Sequence, residues 1–397
     1  MTPARRDDPL LIAGGGIGGL SAAIALSGQF DHIRILEREA SFSAEGAGIQ
    51  LGPNATRLLR RWGVLERLLP DGVKAEGIGI GDGLTGEPVA TVPLGDVAEQ
   101  RYGAPYILAH RADLQKTLLD TVKELANVEI VTGHTVTGFE QFPDEIIVET
   151  SEKSVRGCAL IAADGIWSTL RNEIDRSVAL AMTDNTAWRA LVDPAVLPDE
   201  MQGPWTGLWM AKNAHLVHYP VQGGNAINVV AVITERWVKK DRGWACDADP
   251  DVLLPHFERW DKRLRDIVGS AKSWRKWTLF DLAPLKRWSM GAVTLLGDAA
   301  HPVPPFLAQG GALAIEDAAV LARTLAHYDG DIWRALPEYE IARIGRTARM
   351  RYESRRMGNI YHMSGLSRRV RDFFLRRHAD EALLKKFDWL YRFDALG

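Results

Sequence analysis

The spacing of hydrophobic and polar positions near the start of the chain changes from strand-like to helix-like. Residues 9–13 form a short apolar run, residues 14–19 contain five glycines, and residues 20–26 carry apolar side chains at helical spacing. A second apolar run, Ile33–Leu36, ends on Glu37. This order predicts a strand, a tight loop, a helix and a second strand.

The same patterns continue through the first half of the chain. Residues 112–126 have the spacing of an amphipathic helix, and the apolar runs at Val128–Val131, Ile146–Thr150 and 159–163 are typical of strands. The first half is therefore predicted to mix helices and strands.

After Arg176 the pattern changes to β-branched runs separated by glycine and asparagine. Residues 208–210, 216–220 and 227–234 are predicted strands, and residues 223–225 (GGN) between the last two are typical of a β-hairpin. This part of the chain is predicted to form an antiparallel sheet.

The glycine-rich loop fits the dinucleotide fingerprint. Gly14, Gly16 and Gly19 follow a predicted strand and open a predicted helix, so backbone amides and the helix dipole would face a pyrophosphate. Glu37 is placed to accept hydrogen bonds from ribose hydroxyls. FAD and NAD share the ADP half, so the loop alone leaves both open.

The helix-and-strand pattern returns with an apolar run at 293–296 and a predicted helix over 311–328. The β-rich block is therefore predicted to be inserted into one nucleotide-binding domain. The predicted fold class is α/β: a Rossmann-like domain, an inserted β-sheet domain for substrate and a helical C-terminal tail. The expected divisions are 1–176 and 286–340 for the two parts of the Rossmann-like domain, 177–285 for the inserted sheet and 341–397 for the tail.

Composition narrows the function. The 397 residues carry a formal net charge of −3, with 25% charged and 46% hydrophobic residues, which gives no preference for nucleic acid or a membrane surface. The two cysteines, Cys158 and Cys246, are too few for a disulfide framework or a cysteine-rich metal site. This balance favours small-molecule chemistry in a reducing, cytoplasmic compartment.

The N-terminal segment has one feature of a secretory signal, because Arg5 and Arg6 precede an apolar stretch. The glycines at 14–19 interrupt that stretch, and no run of 18 or more apolar residues follows. We therefore expect neither a targeting segment nor a membrane span. The C-terminal tail is rich in basic residues, which favours a solvated helical face over an anionic-substrate funnel or a partner surface.

Two later motifs resemble those of a known enzyme family. Residues 163–171 (ADGIWSTLR) and 297–302 (GDAAHP) are similar to the Asp-Gly motif and the second flavin motif of the class A FAD-dependent aromatic hydroxylases. The strings at 46–54 (GAGIQLGPN), 110–114 (HRADL) and 307–318 (LAQGGALAIEDA) are also similar. The resemblance covers essentially the whole chain and is strongest to the salicylate, 3-hydroxybenzoate and 6-hydroxynicotinate hydroxylases.

The resemblance implies an activity. We expect a monooxygenase that uses FAD, NADH or NADPH, and O2 to hydroxylate a small phenolic acid through a flavin C4a-hydroperoxide. The choice of nicotinamide cofactor is left open, and so is a homodimer.

The resemblance also implies which residues contact FAD. Asp298 would accept hydrogen bonds from ribityl hydroxyls, since a carboxylate after a buried strand needs donors. Gly310 and Gly311 begin a predicted helix whose positive end would stabilise negative charge on the reduced flavin. Arg111 resembles the family arginine that contacts the cofactor, and Asp164 resembles the loop aspartate that serves the flavin.

Three further residues have two readings each. Arg38 either lies near the adenine half or is a surface charge. Val136 either offers backbone contacts to adenine or is a core valine. Arg171 either serves the flavin and nicotinamide nucleotides or, like Asp164, holds its loop.

The candidate catalytic residues lie on one predicted strand. His215, Val217 and Tyr219 share a face of it, because side chains alternate along a strand. His215 and Tyr219 resemble the His-x-x-x-Tyr pair that faces substrate in the 3-hydroxybenzoate and 6-hydroxynicotinate enzymes. A histidine with its ordinary pKa of about 6.5 would accept the phenolic proton at neutral pH, and the tyrosine would position a substrate oxygen. His218, on the other face, is expected to be a packing residue.

Gln50 and Pro305 depart from the family pattern. Pro305 stands where the 3-hydroxybenzoate enzymes have glutamine, so it would offer substrate only its carbonyl. Gln50 stands where the 6-hydroxynicotinate enzymes have an active-site histidine. That difference favours a benzoate-type substrate over an N-heterocyclic acid and leaves the isomer open.

Other flavoprotein functions remain as alternatives. A flavin-dependent halogenase is disfavoured because the Trp-x-Trp-x-Ile-Pro string of that class is absent. Oxygen consumption coupled to substrate would distinguish a monooxygenase from a flavoprotein dehydrogenase that acts without O2. A flavin-binding regulatory module is disfavoured by the intact His215 and Tyr219.

Overall fold

The computed structural model describes residues 8–42, 47–235, 245–378 and 380–397. Arg5, Arg6 and Gly46 lie outside these ranges. The described strands, in chain order, are β1 (Leu10–Ala13), β2 (Ile33–Leu36), β3 (Gly48–Leu51), β4 (Val73–Lys74), β5 (Gly77–Asp82), β6 (Pro88–Pro93), β7 (Ile107–His110), β8 (Val128–Val131), β9 (Val136–Gln141), β10 (Ile146–Thr150), β11 (Val155–Gly157), β12 (Ala159–Ala162), β13 (Ala181–Val192), β14 (Trp205–Ala211), β15 (Ala214–Val221), β16 (Ala226–Thr234), β17 (Ala245–Ala248), β18 (Trp274–Asp281), β19 (Ser289–Met290) and β20 (Val293–Leu295).

The described α-helices complete the secondary structure. In chain order they are α1 (Ile17–Leu26), α2 (Pro53–Arg61), α3 (Leu65–Leu68), α4 (Gly95–Tyr102), α5 (Arg111–Lys123), α6 (Leu170–Ile174), α7 (Pro250–Leu253), α8 (Lys262–Ser270), α9 (Gly310–His327), α10 (Ile332–Tyr361), α11 (Gly365–Arg377), α12 (Asp380–Lys385) and α13 (Asp388–Tyr391). Among the described residues, no helix combines the length and the apolar character that a membrane crossing requires.

A mostly parallel sheet forms the centre of the nucleotide-binding part. Its strand order is β19-β20-β12-β1-β2-β8, with β1 paired in parallel to both β12 and β2. Strands buried on both faces need continuous apolar runs, and all four residues of β1 are buried. The predicted strand-loop-helix-strand unit is confirmed, as is the mixed α/β fold class with its helical C-terminal region.

The second large element is an eight-stranded sheet. Its order is β17-β18-β13-β16-β15-β14-β5-β6, and the predicted hairpin is confirmed in the antiparallel pair β15 and β16. The sheet is not confined to residues 177–285, because β5 and β6 precede that range and β5 pairs in parallel with β14. The expected division at 340/341 also falls inside a helix, since α10 runs from Ile332 to Tyr361. The division into domains stays a proposal.

The two faces of this sheet have different neighbours. One face packs on Phe257, Trp260 and Leu264 around α8 and forms a core of its own. The opposite face carries Val217 and Tyr219, which pack with residues of β7 and α9. This face of β15 therefore packs against the nucleotide-binding part.

A small sheet, β3-β7-β4, joins the two parts. Gly48 pairs with His110 across β3 and β7, and α5 begins directly after β7 at Arg111. The Arg111 amide donates to the Ala47 carbonyl at 2.8 Å. The helix expected over 112–126 therefore begins at Arg111 and ends at Lys123, three residues earlier than predicted.

A buried carboxylate on α9 anchors the loop after β20. Asp317 Oδ2 accepts the Gly297 amide at 2.9 Å and lies 2.5 Å from His301 Nε2, and Asp317 Oδ1 accepts Arg343 Nε at 2.6 Å. Asp317 and Arg343 are fully buried. One ion pair thus joins α9, α10 and the 297–302 motif.

The neighbouring carboxylate extends this network. Glu316 pairs with Arg343 at 2.9 Å and with Arg346 at 2.5 Å, and it accepts Asn54 Nδ2 of α2 at 2.7 Å. Basic residues of the tail therefore stabilise the fold from inside, beyond the solvated helical face that the sequence favours.

Replacing Asp317 by asparagine tests this anchor. Asp317→Asn should lower the free energy of unfolding by about 3 kcal/mol, because buried Arg343 and His301 lose an ionic partner. Asp120→Asn removes an exposed pairing with Lys116 and should change it by no more than about 0.5 kcal/mol. Urea denaturation of both variants measures the difference, and equal effects would contradict the role of the network.

Asp317→Asn should also change how the stability of the fold depends on pH. Burial opposes ionisation of Asp317, but His301 and Arg343 lower its pKa to about 2, below the ordinary 3.8. A carboxylate whose pKa is lowered by folding stabilises the fold at pH values above its unfolded-state pKa. That stabilisation is lost as the pH falls through its folded-state pKa. The stability gap between the wild type and Asp317→Asn should therefore narrow between about pH 4 and pH 2.

Candidate active site

The glycines of the first loop have different structural reasons. Gly14 has φ +103°, and a Cβ there would lie 2.5 Å from the Ala163 carbonyl oxygen. A Cβ on Gly19 would lie 1.9 Å from the Gly14 carbonyl oxygen. A Cβ on Gly16 would meet no heavy atom within 4 Å. Gly14 and Gly19 therefore permit close packing, whereas Gly16 leaves open space at the start of α1.

Glu37 ties this loop to the end of β2. Its Oε2 accepts the Gly15 amide at 2.6 Å, and its Oε1 accepts the Glu39 amide at 2.9 Å. Gln115 of α5 donates to the Gly15 carbonyl at 3.1 Å. The half-buried carboxylate keeps lone pairs for further donors, so its contact with ribose stays a prediction.

The two adenine-side candidates differ in exposure. Arg38 is exposed and lies 3.2 Å from Glu39 in an ion pair. Val136 is buried in the core, and its carbonyl accepts the Thr169 hydroxyl at 3.5 Å. The structure gives each a structural partner, and their contacts with adenine stay predictions.

Asp164 and Arg171 hold the Asp-Gly loop. Asp164 Oδ2 accepts the Thr169 amide at 3.1 Å, whereas its buried Oδ1 has no hydrogen-bond partner within the described residues. Arg171 Nη1 donates to the carbonyls of Asp298 and Ala299 at 3.3 and 3.1 Å. This arginine joins the two motifs that sequence places far apart.

Asp298 lies in a short turn after β20 rather than at the strand end. Its side chain is accessible to solvent, yet desolvation by the surrounding protein raises its pKa, while His301, Arg111 and Arg171 act in the opposite direction. Desolvation likewise lowers the pKa of Arg111, which is also accessible. A side chain that is accessible to solvent and also desolvated by the surrounding protein lies inside a cleft, and both Asp298 and Arg111 meet this description. A Cβ on Gly310, the first residue of α9, would lie 3.9 Å from Asp298 Oδ1.

These features fit a flavin dinucleotide. Gly16 leaves room for a pyrophosphate at the start of α1. Asp164 Oδ1 is a buried acceptor without a donor among the described residues, and Asp298 is an accessible acceptor in a cleft. The start of α9 at Gly310 and Gly311 contributes its positive dipole end beside Asp298.

The face of the sheet opposite α8 carries the candidate catalytic residues. Directly opposed residues of an antiparallel sheet share a face. Three cross-strand rows follow from the register, namely His215–Val232–Ala187, Val217–Val230–Arg189 and Tyr219–Asn228–Leu191. The prediction that His215, Val217 and Tyr219 share a face is consistent with this register. It also places Arg189 and Asn228, which sequence reasoning missed, on the same face.

Gln50 lies close enough to Tyr219 to influence its pKa. Tyr106 donates its hydroxyl to Gln50 Oε1 at 2.8 Å, so the Gln50 amide nitrogen is left to donate. Burial raises the pKa of Tyr219 to about 12, while Arg189 and the hydrogen bond with Gln50 act in the opposite direction. Tyr219 is therefore neutral and keeps its own proton to donate. Gly48 permits this approach, since a Cβ there would lie 2.6 Å from the Tyr219 hydroxyl oxygen.

Arg189 and Asn228 have unused donors beside Tyr219. The buried Nε of Arg189 and Nδ2 of Asn228 have no hydrogen-bond partner among the described residues. Arg189 lies 5.2 Å from the centre of the Trp277 ring, and desolvation lowers its pKa. The only sequence signal for Arg189 is one charge in the apolar run AWRALV, at 187–192.

His215 is not a histidine with an ordinary pKa, so that expectation is wrong. Burial, and to a lesser degree His362, lower its pKa well below 6.5. Its Nδ1 lies 2.8 Å from His362 Nε2. His362 follows α10, and no local pattern signals its contact with a strand 147 residues away. His218 is buried, stacks on Trp209 and has no hydrogen-bond partner among the described residues, which fits its expected packing role.

Pro305 lies one residue before a ring that packs on His215. Its carbonyl accepts the Ala308 amide at 2.9 Å within a short turn. The next residue, Phe306, has its ring centre 5.7 Å from that of His215. A substrate contact of Pro305 stays a prediction, and Phe306 supplies the ring contact with His215.

Comparisons with known proteins agree with this geometry. A family model described as an FAD binding domain matches residues 7–336. The 3-hydroxybenzoate 6-hydroxylase of Polaromonas naphthalenivorans (strain CJ2) is 35% identical over 392 residues, which covers 98% of this chain and 97% of that protein. The chain belongs to the FAD-dependent aromatic hydroxylases.

Solved structures place the hydroxylase in the same fold. A salicylate hydroxylase substrate complex has a TM-score of 0.81 at 26% identity, covering 98% of this chain and 96% of that one. Klebsiella pneumoniae HpxO, complexed with FAD and uric acid, has a TM-score of 0.83 at 25% identity, covering 96% of each chain. The hydroxylase is therefore a flavoprotein monooxygenase with FAD as its cofactor.

Two alanine substitutions separate cofactor binding from folding. Gly16→Ala adds a methyl group in open space, so the FAD-free protein should keep its stability. The FAD dissociation constant should rise about 10-fold or more if one charge-assisted hydrogen bond to phosphate is lost. Gly19→Ala should instead destabilise the FAD-free protein, because its Cβ meets backbone. Flavin fluorescence titration and urea denaturation measure the two effects, and an unchanged FAD affinity in Gly16→Ala would remove this loop from the pyrophosphate site.

Proposed function

We propose that the hydroxylase adds one oxygen atom of O2 to the ring of a monohydroxybenzoate, with 3-hydroxybenzoate as the first candidate. NADH or NADPH is the reductant, and bound FAD supplies the redox and oxygen-activating chemistry. The observation that carries the proposal is the half-buried Arg189, whose buried Nε has no hydrogen-bond partner within the described residues. The name of the Polaromonas relative supports the choice of first candidate.

One end of the proposed site binds a carboxylate. The guanidinium of Arg189 stays charged, and a charged group with a buried, unpaired donor is costly unless a partner binds that donor. Asn228 Nδ2 and the Tyr219 hydroxyl add two neutral donors in the neighbouring cross-strand row. Together these donors match the several acceptor positions of one substrate carboxylate.

The other end of the site takes a proton. His215 lies four residues before Tyr219 on β15, and so on the same face of the strand. Its lowered pKa keeps the imidazole neutral at neutral pH, so one ring nitrogen is available as an acceptor. Removing the phenolic proton raises the electron density at the ortho and para ring carbons, and carbon 6 of 3-hydroxybenzoate is para to its hydroxyl.

The protein's part is therefore binding, orientation and proton handling. Arg189 fixes the acid, Tyr219 positions an oxygen, and His215 accepts the phenolic proton. Arg189, His215, Tyr219 and Asn228, with their neighbours on the same face of the sheet, form a wall that excludes water from the ring. Gln50, which accepts the Tyr106 hydroxyl, cannot act as a base, and this favours a benzoate over an N-heterocyclic acid.

We also propose a cytoplasmic location. The reaction needs NADH or NADPH, and the buried thiol of Cys158 has a pKa raised to about 11 by burial. Cys158 and Cys246 are free thiols, and free thiols persist in a reducing compartment.

A substrate panel tests the proposed function. Purified enzyme is given NADH or NADPH with 3-hydroxybenzoate, salicylate, 4-hydroxybenzoate, 6-hydroxynicotinate or neutral 3-hydroxybenzamide, under isotopically labelled O2. A hydroxybenzoate should stimulate reductant oxidation and yield a product with one labelled hydroxyl, identified by mass spectrometry. Peroxide alone with every benzoate, together with label entering the heterocycle, would contradict the benzoate assignment.

The carboxylate end has its own test. Arg189→Gln should raise the dissociation constant of 3-hydroxybenzoate about 30-fold or more, since losing one partner of a buried charge pair costs about 2–5 kcal/mol. Its affinity for 3-hydroxybenzamide should change little. Arg275→Gln removes the same charge from an exposed residue near the same Trp277 ring and is the matched control. If Arg189→Gln weakens the acid and the amide equally, Arg189 does not bind the carboxylate.

A further inference from the structure

We propose that His215, His362 and Thr234 form a proton relay that carries the phenolic proton of the substrate from the buried wall to the protein surface. The proposal rests on the function proposed above, in which His215 accepts that proton. It adds two positioning residues, His362 and Thr234, from parts of the chain that sequence reasoning did not connect with the site.

The relay is a continuous line of hydrogen bonds. His215 Nδ1 lies 2.8 Å from His362 Nε2, and His362 Nδ1 lies 3.1 Å from Thr234 Oγ1. The Thr234 hydroxyl donates to Asn185 Oδ1 at 3.0 Å. Burial decreases along this line, from buried His215 to half-buried His362 and exposed Thr234. The line therefore begins inside the protein and ends at solvent.

The outer hydrogen bonds determine which nitrogens carry protons. Because Thr234 donates to Asn185, its oxygen accepts from His362 Nδ1–H. The other nitrogen of a neutral imidazole is an acceptor, so His362 Nε2 accepts from His215 Nδ1–H. His215 Nε2 is then left with its lone pair and, among the described residues, without a hydrogen-bond partner. That nitrogen is ready to accept a proton.

Burial explains why a relay is needed. It lowers the pKa of His215 well below 6.5 and that of His362 to about 4. Neither ring can hold an extra proton at neutral pH, so a proton accepted at one end must leave at the other. A single buried histidine would be a poor base, whereas two hydrogen-bonded histidines can pass the proton on to the surface.

Each proton transfer is balanced. The substrate O–H bond breaks as His215 Nε2–H forms, and His215 Nδ1–H breaks as His362 Nε2–H forms. The His362 Nδ1–H bond then breaks as the Thr234 oxygen takes that proton. Thr234, which is exposed, gives the proton that it donated to Asn185 Oδ1 to solvent water, and its new hydroxyl proton takes over the hydrogen bond to Asn185. Both rings end neutral with exchanged tautomers, and the same path in reverse returns a proton when the phenolic product leaves.

Packing holds the inner ring in line. The ring of His215 lies 5.2 Å from that of Tyr361 and 5.7 Å from that of Phe306, and the Tyr361 hydroxyl donates to the Phe306 carbonyl at 3.2 Å. His362 is fixed by α10, whose end it caps through hydrogen bonds of its amide to the Gly358 and Ile360 carbonyls.

Charged groups on two adjoining elements are already paired. Arg371 of α11 donates to the Ile360 and Tyr361 carbonyls and pairs with Asp372 at 2.8 Å. Glu235, next to Thr234, pairs with Lys276 at 2.8 Å. The titrations of His215 and His362 are therefore set mainly by burial and by each other.

The first experiment needs no substrate. Nitrogen-15 NMR of histidine-labelled holoenzyme, assigned with His215→Gln and His362→Gln, reports the protonated nitrogen of each ring. Two neutral rings at neutral pH, each protonated at Nδ1, are expected. A charged ring or the opposite tautomer on either residue would overturn the relay, whatever the substrate proves to be.

The second experiment follows the proton. Stopped-flow absorbance measures phenolate formation when 3-hydroxybenzoate binds oxidised holoenzyme. Glutamine accepts a hydrogen bond but cannot pass on a proton, so His362→Gln should slow phenolate formation about 10-fold or more, approaching the roughly 10²–10⁴-fold range for loss of a base. FAD content and the 3-hydroxybenzoate dissociation constant should be unchanged.

Variants of Thr234 show whether its hydroxyl transfers a proton or only packs against its neighbours. Thr234→Val should slow the same step, while Thr234→Ser, which keeps the hydroxyl, should restore it. The solvent isotope effect on phenolate formation should fall with His362→Gln, whereas His327→Gln at an exposed histidine should match the wild type.

The outcomes distinguish the relay from the proposed function. Wild-type rates in both His362→Gln and Thr234→Val, with a slow His215→Gln, would overturn the relay and leave His215 as the base. Wild-type rates in all three would remove the proposed base as well. Failure of 3-hydroxybenzoate to bind would count against the proposed function alone, and the NMR result would then decide the relay.

Discussion

The buried pairing of Asp317 with Arg343 is the interaction on which the arrangement of the site depends. It joins a helix of the nucleotide-binding part to the long helix α10, and the same carboxylate holds the Gly297 amide of the second flavin motif. Both members are fully buried, so neither tolerates the loss of the other. The turn that presents Asp298 is therefore fixed from behind by charge, and its exposed side is left free for a cofactor.

Helix α10 links this anchor to the substrate wall. Arg343 lies in its first half, and the helix ends at Tyr361 beside His215. A helix of 30 residues is about 45 Å long at about 1.5 Å per residue, so a single element connects the anchor with the residues around His215. One helix therefore connects the ion pair at Arg343 with His362, which follows its last residue, although the two regions share no local sequence pattern.

The parts of the fold that follow from local pattern could be predicted from sequence. The glycine loop, the hairpin at 223–225 and the start of α9 at Gly310 depend on neighbours in the chain. The addition of β5 and β6 to the large sheet could not, because parallel pairing of β5 with β14 depends on contacts between residues over 100 positions apart.

The candidate site shows the same limit. Strand alternation was enough to place His215 and Tyr219 on one face, and cross-strand register then brought Arg189 and Asn228 to it. The partners across the sheet, and the effect of burial on each pKa, come only with tertiary structure. The sequence therefore identifies the residue types that do chemistry but not their protonation.

Burial has opposite consequences for the two basic residues of the wall. It lowers the pKa of both Arg189 and His215, but an arginine begins far above neutral pH and stays charged, whereas a histidine begins at 6.5 and becomes neutral. One environment thus yields a fixed cation and a neutral imidazole, which under the proposed function bind the acid group and accept the phenolic proton. Under the proposed function, a phenolate formed there would bear negative charge that Arg189 attracts, so the same half-buried cation would favour both binding of the carboxylate and loss of the phenolic proton.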